Sequence, residues 1–138
     1  MKSLSDALLE YRFDITDNDA FHSVSSDRFN KAVKTASNKY VAKYNSHANS
    51  TADFVFIYEY SSFLGFVQGF AITDSYIYGD DGGSFELPLN NLASVKYDDE
   101  DHEIVLSPKN GSKHYIKVSA NKKQLAKTLA SIINDYII

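Results

Sequence analysis

The spacing of apolar residues changes near residue 52, and this change constrains the fold more than any other feature of the chain. Before it, apolar residues recur at helical spacing, which predicts a short helix over residues 4–11 and a second over residues 29–44. After it, apolar residues follow the alternating pattern that is typical of strands. The sequence therefore predicts a helical N-terminal extension over residues 1–52 and a strand-rich domain over residues 53–138, which together form one structural unit.

The strand-rich part is predicted to hold seven strands and to end in an amphipathic helix that buries Leu125, Leu129 and Ile133. Turn residues separate the strands, among them Asn-Gly at 110–111. The polar stretch from Asp14 to Ser26 is interpreted as a loop. The predicted strands span residues 54–61, 66–73, 76–79, 85–89, 92–97, 103–106 and 114–118.

This order of elements restricts the fold class. Consecutive antiparallel strands expose sheet edges unless they curl into a barrel or a sandwich, and a final helix can cover an open end. We therefore expect an α+β protein in which a seven-stranded antiparallel barrel or sandwich is capped by a C-terminal helix, with a helical extension at the N-terminus.

Three short segments carry a resemblance to a known family. They are Gly65-Phe-Val-Gln-Gly-Phe-Ala-Ile-Thr-Asp74, then Tyr76-Ile-Tyr78, then Phe85-Glu-Leu-Pro-Leu89 leading into Leu92-Ala-Ser-Val95. With the order of elements around them, these segments make residues 53–137 resemble the bacterial pleckstrin-homology-like (PH-like) or GRAM-like domains. The resemblance implies a PH-like barrel or sandwich. It leaves function open, because such domains bind lipids, bind peptides or act as scaffolds, so function has to be inferred from a site.

Several function classes are disfavoured by what the chain lacks. It has no Cys, which excludes disulfides, thiol nucleophiles and Cys-based metal sites. It also has no Gly-x-Ser-x-Gly elbow, no His-Glu-x-x-His pair and no P-loop. The acidic run 98–103 lacks the Gly and the later Glu of an EF-hand. We therefore expect a protein that is not an enzyme, with no metal and no cofactor.

Hydropathy and charge bear on location and partners. No apolar run is long enough for a membrane helix, and residues 1–12 lack the apolar core of a signal peptide, so we expect a cytoplasmic protein. The net charge of −4 argues against nucleic acid as a partner.

That small net charge conceals a strong polarisation along the chain. Residues 74–103 carry nine acids and one base, whereas residues 27–48 carry five bases and one acid, and residues 109–127 carry six bases and no acid. An acidic surface steers a basic partner toward itself, although loop acids also serve simply to keep a protein soluble. The predicted partner-binding residues are the acids of two turns together with Tyr78 or Tyr97: Asp80, Asp81, Asp98, Asp99, Glu100 and Asp101.

Tyrosines add to this interpretation, because a rigid ring with one hydroxyl is favoured in binding interfaces. Six of them lie on strands with one face that can be exposed: Tyr58, Tyr60, Tyr76, Tyr78, Tyr97 and Tyr115. The resulting hypothesis is a non-enzymatic protein-binding module. Its most concrete form is an acidic immunity protein that neutralises a basic toxin, which the chain resembles in type and not in motif.

The alternative hypothesis is a PH-like module that binds lipids or a membrane surface, or that serves as a signalling accessory. The family resemblance implies that a phosphoinositide site would place basic residues on the first strands. Residues 54–78 contain no Lys or Arg, and the acids there would repel an anionic membrane. The sequence predicts neither the oligomeric state nor where the residue 29–44 helix packs.

Overall fold

The computed structural model describes residues 3–11, 20–23, 54–61 and 67–137 of the 138-residue chain. The predicted helix over residues 29–44 lies outside them. Two α-helices and eight β-strands are described, together with short 3-10 turns at Leu89–Asn91 and Ala120–Lys122. In chain order they are α1 (Leu4–Tyr11), β1 (Phe21–Ser23), β2 (Phe56–Ser61), β3 (Val67–Ile72), β4 (Tyr76–Asp80), β5 (Ser84–Pro88), β6 (Leu92–Asp98), β7 (Glu103–Pro108), β8 (His114–Lys117) and α2 (Lys123–Ile137).

The strands form two antiparallel sheets. The large sheet has five strands in the order β1-β2-β3-β4-β5, and the small sheet has three in the order β6-β7-β8. Within each sheet, successive strands of the described chain pair with each other, and the succession is broken between β5 and β6. The α+β class, the antiparallel pairing and the C-terminal helix are therefore confirmed.

Two expectations are corrected. Residues 14–26 were expected to form a loop, but Phe21–Ser23 is a strand that pairs with β2, Phe21 opposite Tyr58. All three residues of this strand are buried, and pairing with a long neighbouring strand overrides their weak local preference. A single closed seven-stranded barrel, one of the two forms expected, is wrong, because the strands divide into separate sheets.

The hydrophobic core lies between the sheets and under the two helices. Helix α2 packs against β6 and contacts α1, burying Ala126, Leu129 and Ile133. Leu4 and Leu8 of α1 are fully buried in the same cluster. Most of the remaining members are alternate side chains of the strands, as the pleat of a half-buried sheet requires.

Side chains supply hydrogen bonds at both edges of the small sheet. At the β6 edge, the amide of Asn134 on α2 accepts from the backbone N–H of Val95 at 2.8 Å and donates to its carbonyl at 2.6 Å. At the β8 edge, the backbone N–H of Lys117 donates to Gln68 Oε1 at 2.9 Å. The backbone carbonyl of Lys117 accepts from the hydroxyl of Tyr58 at 2.6 Å. An edge strand needs such partners when it is covered by protein.

Candidate functional site

The turn between β6 and β7 presents a run of carboxylates, residues 98–101, which we call the acidic turn. Asp98 supports it, because its Oδ1 accepts the backbone N–H groups of Glu100 at 2.9 Å and Asp101 at 3.3 Å. Asp98 is half-buried, whereas the three acids that follow it are exposed. The turn closes at His102, whose φ of 54° lies in the left-handed region. The carboxylates of Glu100 and Asp101 consequently face solvent.

Tyr97 stands beside this turn and is partly covered. Its hydroxyl lies 3.0 Å from Nδ1 of His102, and Nζ of Lys127 lies 5.7 Å from the centre of its ring. The same Nζ is 3.5 Å from Oδ1 of Asp99. Burial raises the pKa of Tyr97, and the carboxylates of Asp99 and Asp98 raise it further because they oppose a phenolate. The structure therefore brings Tyr97 and the acidic turn together on one surface.

The second acidic pair, Asp80 and Asp81, lies at the β4–β5 turn of the large sheet. Oδ1 of Asp80 accepts the backbone N–H of Gly82 at 2.9 Å, which is an ordinary turn contact. Oδ2 of Asp81 lies 3.0 Å from Nδ1 of His114, whose ring is stacked on Phe85 with centroids 3.8 Å apart. These acids therefore contribute to the structure of the turn and to its contact with β8.

The two acidic groups do not form one patch. His114, which contacts Asp81, is opposite Leu106, whereas Lys117 is opposite Glu103 at the start of β7. Three residues of strand separate these positions, which is about 10 Å, and the acidic turn lies beyond Glu103. Residues of the basic segment 109–127 contact both acidic groups: His114 contacts Asp81, and Lys127 contacts Asp99. The surface is less polarised than the sequence alone suggests.

Tyr78 is removed from the predicted surface. It lies on β4, an interior strand of the large sheet, and it is fully buried, with its ring 6.4 Å from that of Phe54. Three successive residues of β4 are buried, because both faces of this strand are covered. Of the two tyrosines predicted for the partner-binding surface, only Tyr97 lies next to the acidic turn.

The outer face of the small sheet holds a groove that the sequence analysis did not identify. Tyr115 lies on the edge strand β8 with 45% of its surface exposed, opposite half-buried Val105. Alternation along β6 (Ser94, Lys96, Asp98) was the available signal for this face. The groove has a volume of about 610 Å³ and is lined by Ser94, Lys96, Tyr97, Asp98, Asp99, Val105, Ser107, Lys113 and Tyr115.

Two further observations concern residues 3–11, 20–23, 54–61 and 67–137. Within these ranges no three His, Asp or Glu side chains are grouped so as to hold a metal ion. Neither α1 nor α2 has the length and apolar character needed to cross a bilayer.

Comparisons with protein-family models, with curated proteins and with solved structures find no match to this chain.

Proposed function

We propose that this chain is a non-enzymatic protein-binding domain of PH-like architecture, which uses the acidic turn to bind a basic surface of a protein partner. The order of elements supports the architecture, because β2 to β8 are seven antiparallel strands followed by a C-terminal helix that packs on β6. Strand β1 and helix α1 then belong to an N-terminal extension added to that unit.

The observation that carries the proposal is the exposure of Glu100 and Asp101 beside Tyr97. Their backbone is held by Asp98, so the two carboxylates are presented from an ordered turn. Carboxylates at an exposed tip raise the rate at which a basic partner is captured, and a neighbouring ring supplies contact area. Since Asp98 and Asp99 are engaged within the chain, Glu100 and Asp101 are the acids expected to meet the partner.

In its most concrete form, the domain is an immunity protein and its partner a basic toxin. A toxin that acts on nucleic acid carries lysines and arginines arranged for phosphates. Carboxylates at a turn fit such a surface and would occupy it in place of the nucleic-acid backbone. The two acids and Tyr97 would then block access of substrate to the toxin.

The test titrates this chain by calorimetry into a basic toxin domain, taken from a neighbouring reading frame that encodes one. We expect the double variant Glu100→Lys/Asp101→Lys to lose affinity by about tenfold or more, with the loss shrinking at high salt. The matched control is Asp135→Lys, an exposed acid on α2 that should leave affinity unchanged. If that basic domain does not bind, the immunity assignment is wrong; if it binds and the turn variant binds equally well, the acidic turn is not the contact.

A further inference from the structure

The groove on the small sheet has a defined arrangement of side chains. Lys96 on β6 is opposite Val105 on β7, which is opposite Tyr115 on β8, so the three side chains form one row across the sheet. Lys113 comes two residues before Tyr115, immediately before β8 begins. Val105 is therefore in the middle of this face, with the exposed ring of Tyr115 on one side and Lys96 on the other, and such a mixture of apolar and charged groups is suited to binding.

The charges lining the groove differ in what they already contact. Its carboxylates are engaged within the chain: Asp98 accepts two backbone N–H groups, and Asp99 contacts Lys127. The exposed ammonium groups of Lys96 and Lys113 have no carboxylate of the described residues within the 4.0 Å of an ion pair. Two ammonium groups of the groove are therefore available to pair with carboxylates of a ligand.

The spacing of the two lysines suits an extended chain. Lys96 lies on β6 and Lys113 immediately precedes β8, and these outer strands are separated by about 10 Å across two strand spacings. In an extended segment, side chains two residues apart point the same way and are separated by about 7 Å. Two such carboxylates can reach both flexible lysines, while an apolar side chain two residues further along the segment, on the same face, packs on Tyr115 and Val105.

We infer that this groove binds an extended acidic segment of a protein partner, with its carboxylates on Lys96 and Lys113 and an apolar side chain on Tyr115. The inference goes beyond the proposed function, because it concerns a ligand of opposite charge in the adjoining groove, which shares Tyr97, Asp98 and Asp99 with the surface of the acidic turn. A segment of protein accounts for both the ring and the lysines, whereas a free anion accounts for the lysines only. An anionic bilayer is disfavoured because Glu100 and Asp101 would be pressed toward it.

The experiment measures fluorescence anisotropy of a labelled peptide that contains Glu-Ser-Glu-Ser-Phe, whose two Glu and Phe share one face when the segment is extended, beside the same peptide with Gln in place of both Glu. We expect the full chain to bind the first peptide and to bind the Gln peptide about tenfold or more weakly. Lys96→Glu and Lys113→Glu should each weaken binding of the Glu peptide about fivefold or more, and added salt should weaken it further. Lys123→Glu, on an exposed lysine of α2, is the matched control.

The aromatic contact has its own pair of variants. Tyr115→Ala should weaken binding about fivefold, whereas Tyr115→Phe should keep most of the affinity because the ring supplies the contact. Thermal unfolding of each variant shows that the fold is intact. Equal binding of the two peptides, or an equal loss with Lys123→Glu, would overturn the inference.

Two other probes separate the remaining sources of negative charge. Inorganic phosphate that competes fully at millimolar concentration, with Tyr115→Ala unaffected, would show a simple anion site. Sedimentation with vesicles containing phosphatidylserine, abolished by Lys96→Glu while the peptide fails to bind, would show a lipid surface. Either result overturns the assignment to a protein segment. Neither bears on the acidic turn, which is tested with the basic partner.

Discussion

The side-chain amide of Asn134 makes both hydrogen bonds of a strand partner with the backbone of Val95, at 2.8 Å and 2.6 Å. Helix α2 thus supplies at this position the hydrogen bonds that a further strand would supply to β6. This contact also gives a physical reason why the sheets stay separate, because a β5–β6 ladder would need the same groups of Val95. The side-chain amide of Asn134 is therefore the hydrogen-bonding partner of the β6 edge at Val95.

Replacing Asn134 by Asp tests this contact with almost no change in shape. The carboxylate can still accept the N–H of Val95, but it cannot donate, and it faces the carbonyl oxygen at short range. We expect the free energy of unfolding to fall by about 1–3 kcal/mol, measured by urea denaturation. Asn90→Asp, at an exposed asparagine, should cost far less. Equal costs at the two positions would show that the bidentate contact is unimportant.

At the opposite edge, Tyr58→Phe removes the hydroxyl that donates to Lys117 and leaves the ring in place. Tyr58 is 1% exposed, so the carbonyl loses its partner where little water can replace it. A loss of about 1–2 kcal/mol in the free energy of unfolding is expected, together with faster amide hydrogen exchange at Lys117. Tyr115→Phe, which removes an exposed hydroxyl, is the control and should leave stability nearly unchanged. The prediction fails if both variants are equally stable.

The sequence predicts most of the helices and strands, but it does not predict which side chains distant parts of the chain cover. Periodicity placed α1, β2 to β8 and α2 because each has a run of regularly spaced apolar residues. The three residues of β1 are too few to show a period, so pairing with β2 decides their structure. Tyr78 and Tyr115 both lie on strands with aromatic residues, yet one is buried and one exposed, because neighbours distant in the chain cover only the first. Contacts such as Asp81 with His114 join residues 33 positions apart and leave no local pattern.

Gly79 on β4 illustrates a residue whose role appears only from its neighbours. It is opposite Phe85, and a Cβ at this position would overlap the Phe85 ring and approach the carbonyl oxygen of Gly69 to 2.9 Å. Gly79→Ala must therefore displace the ring that stacks on His114, and we expect a loss of about 1–3 kcal/mol in the free energy of unfolding.

The matched control for that variant is Gly83→Ala, where nothing lies within 4 Å of the new methyl group. Chemical denaturation of the two variants side by side gives the comparison. If Gly79→Ala is as stable as Gly83→Ala, the ring of Phe85 is not held against β4 as described.

Ionisation of Tyr97 should report on the acidic turn. Because the pKa of Tyr97 is raised in the folded chain, the unfolded chain loses this proton first as pH rises. The stability that Tyr97 contributes is therefore present below about pH 10 and is lost as pH rises through the raised pKa. Asp99→Asn should lower that pKa, since it removes one of the carboxylates that oppose the phenolate. NMR of ¹³C-labelled tyrosine across the alkaline range measures the change.

Asp135→Asn provides the comparison for that measurement, because Asp135 lies on α2 and is not among the causes of the raised pKa. The titration of Tyr97 should be the same in this variant as in the unaltered chain. An unchanged titration in Asp99→Asn as well would mean that the acidic turn does not lie against the ring.

The contact between α1 and α2 has a consequence for the time course of folding. These helices are the first and last elements described, and Leu4 and Leu8 of α1 are buried in the cluster that also contains Leu129 and Ile133 of α2. During synthesis α1 emerges first, but its apolar side chains stay without this cover until α2 has left the ribosome. Closing so long a loop is slow. The apolar side chains of Leu4 and Leu8 therefore stay exposed, and accessible to chaperones, until α2 has been synthesised and packs against α1.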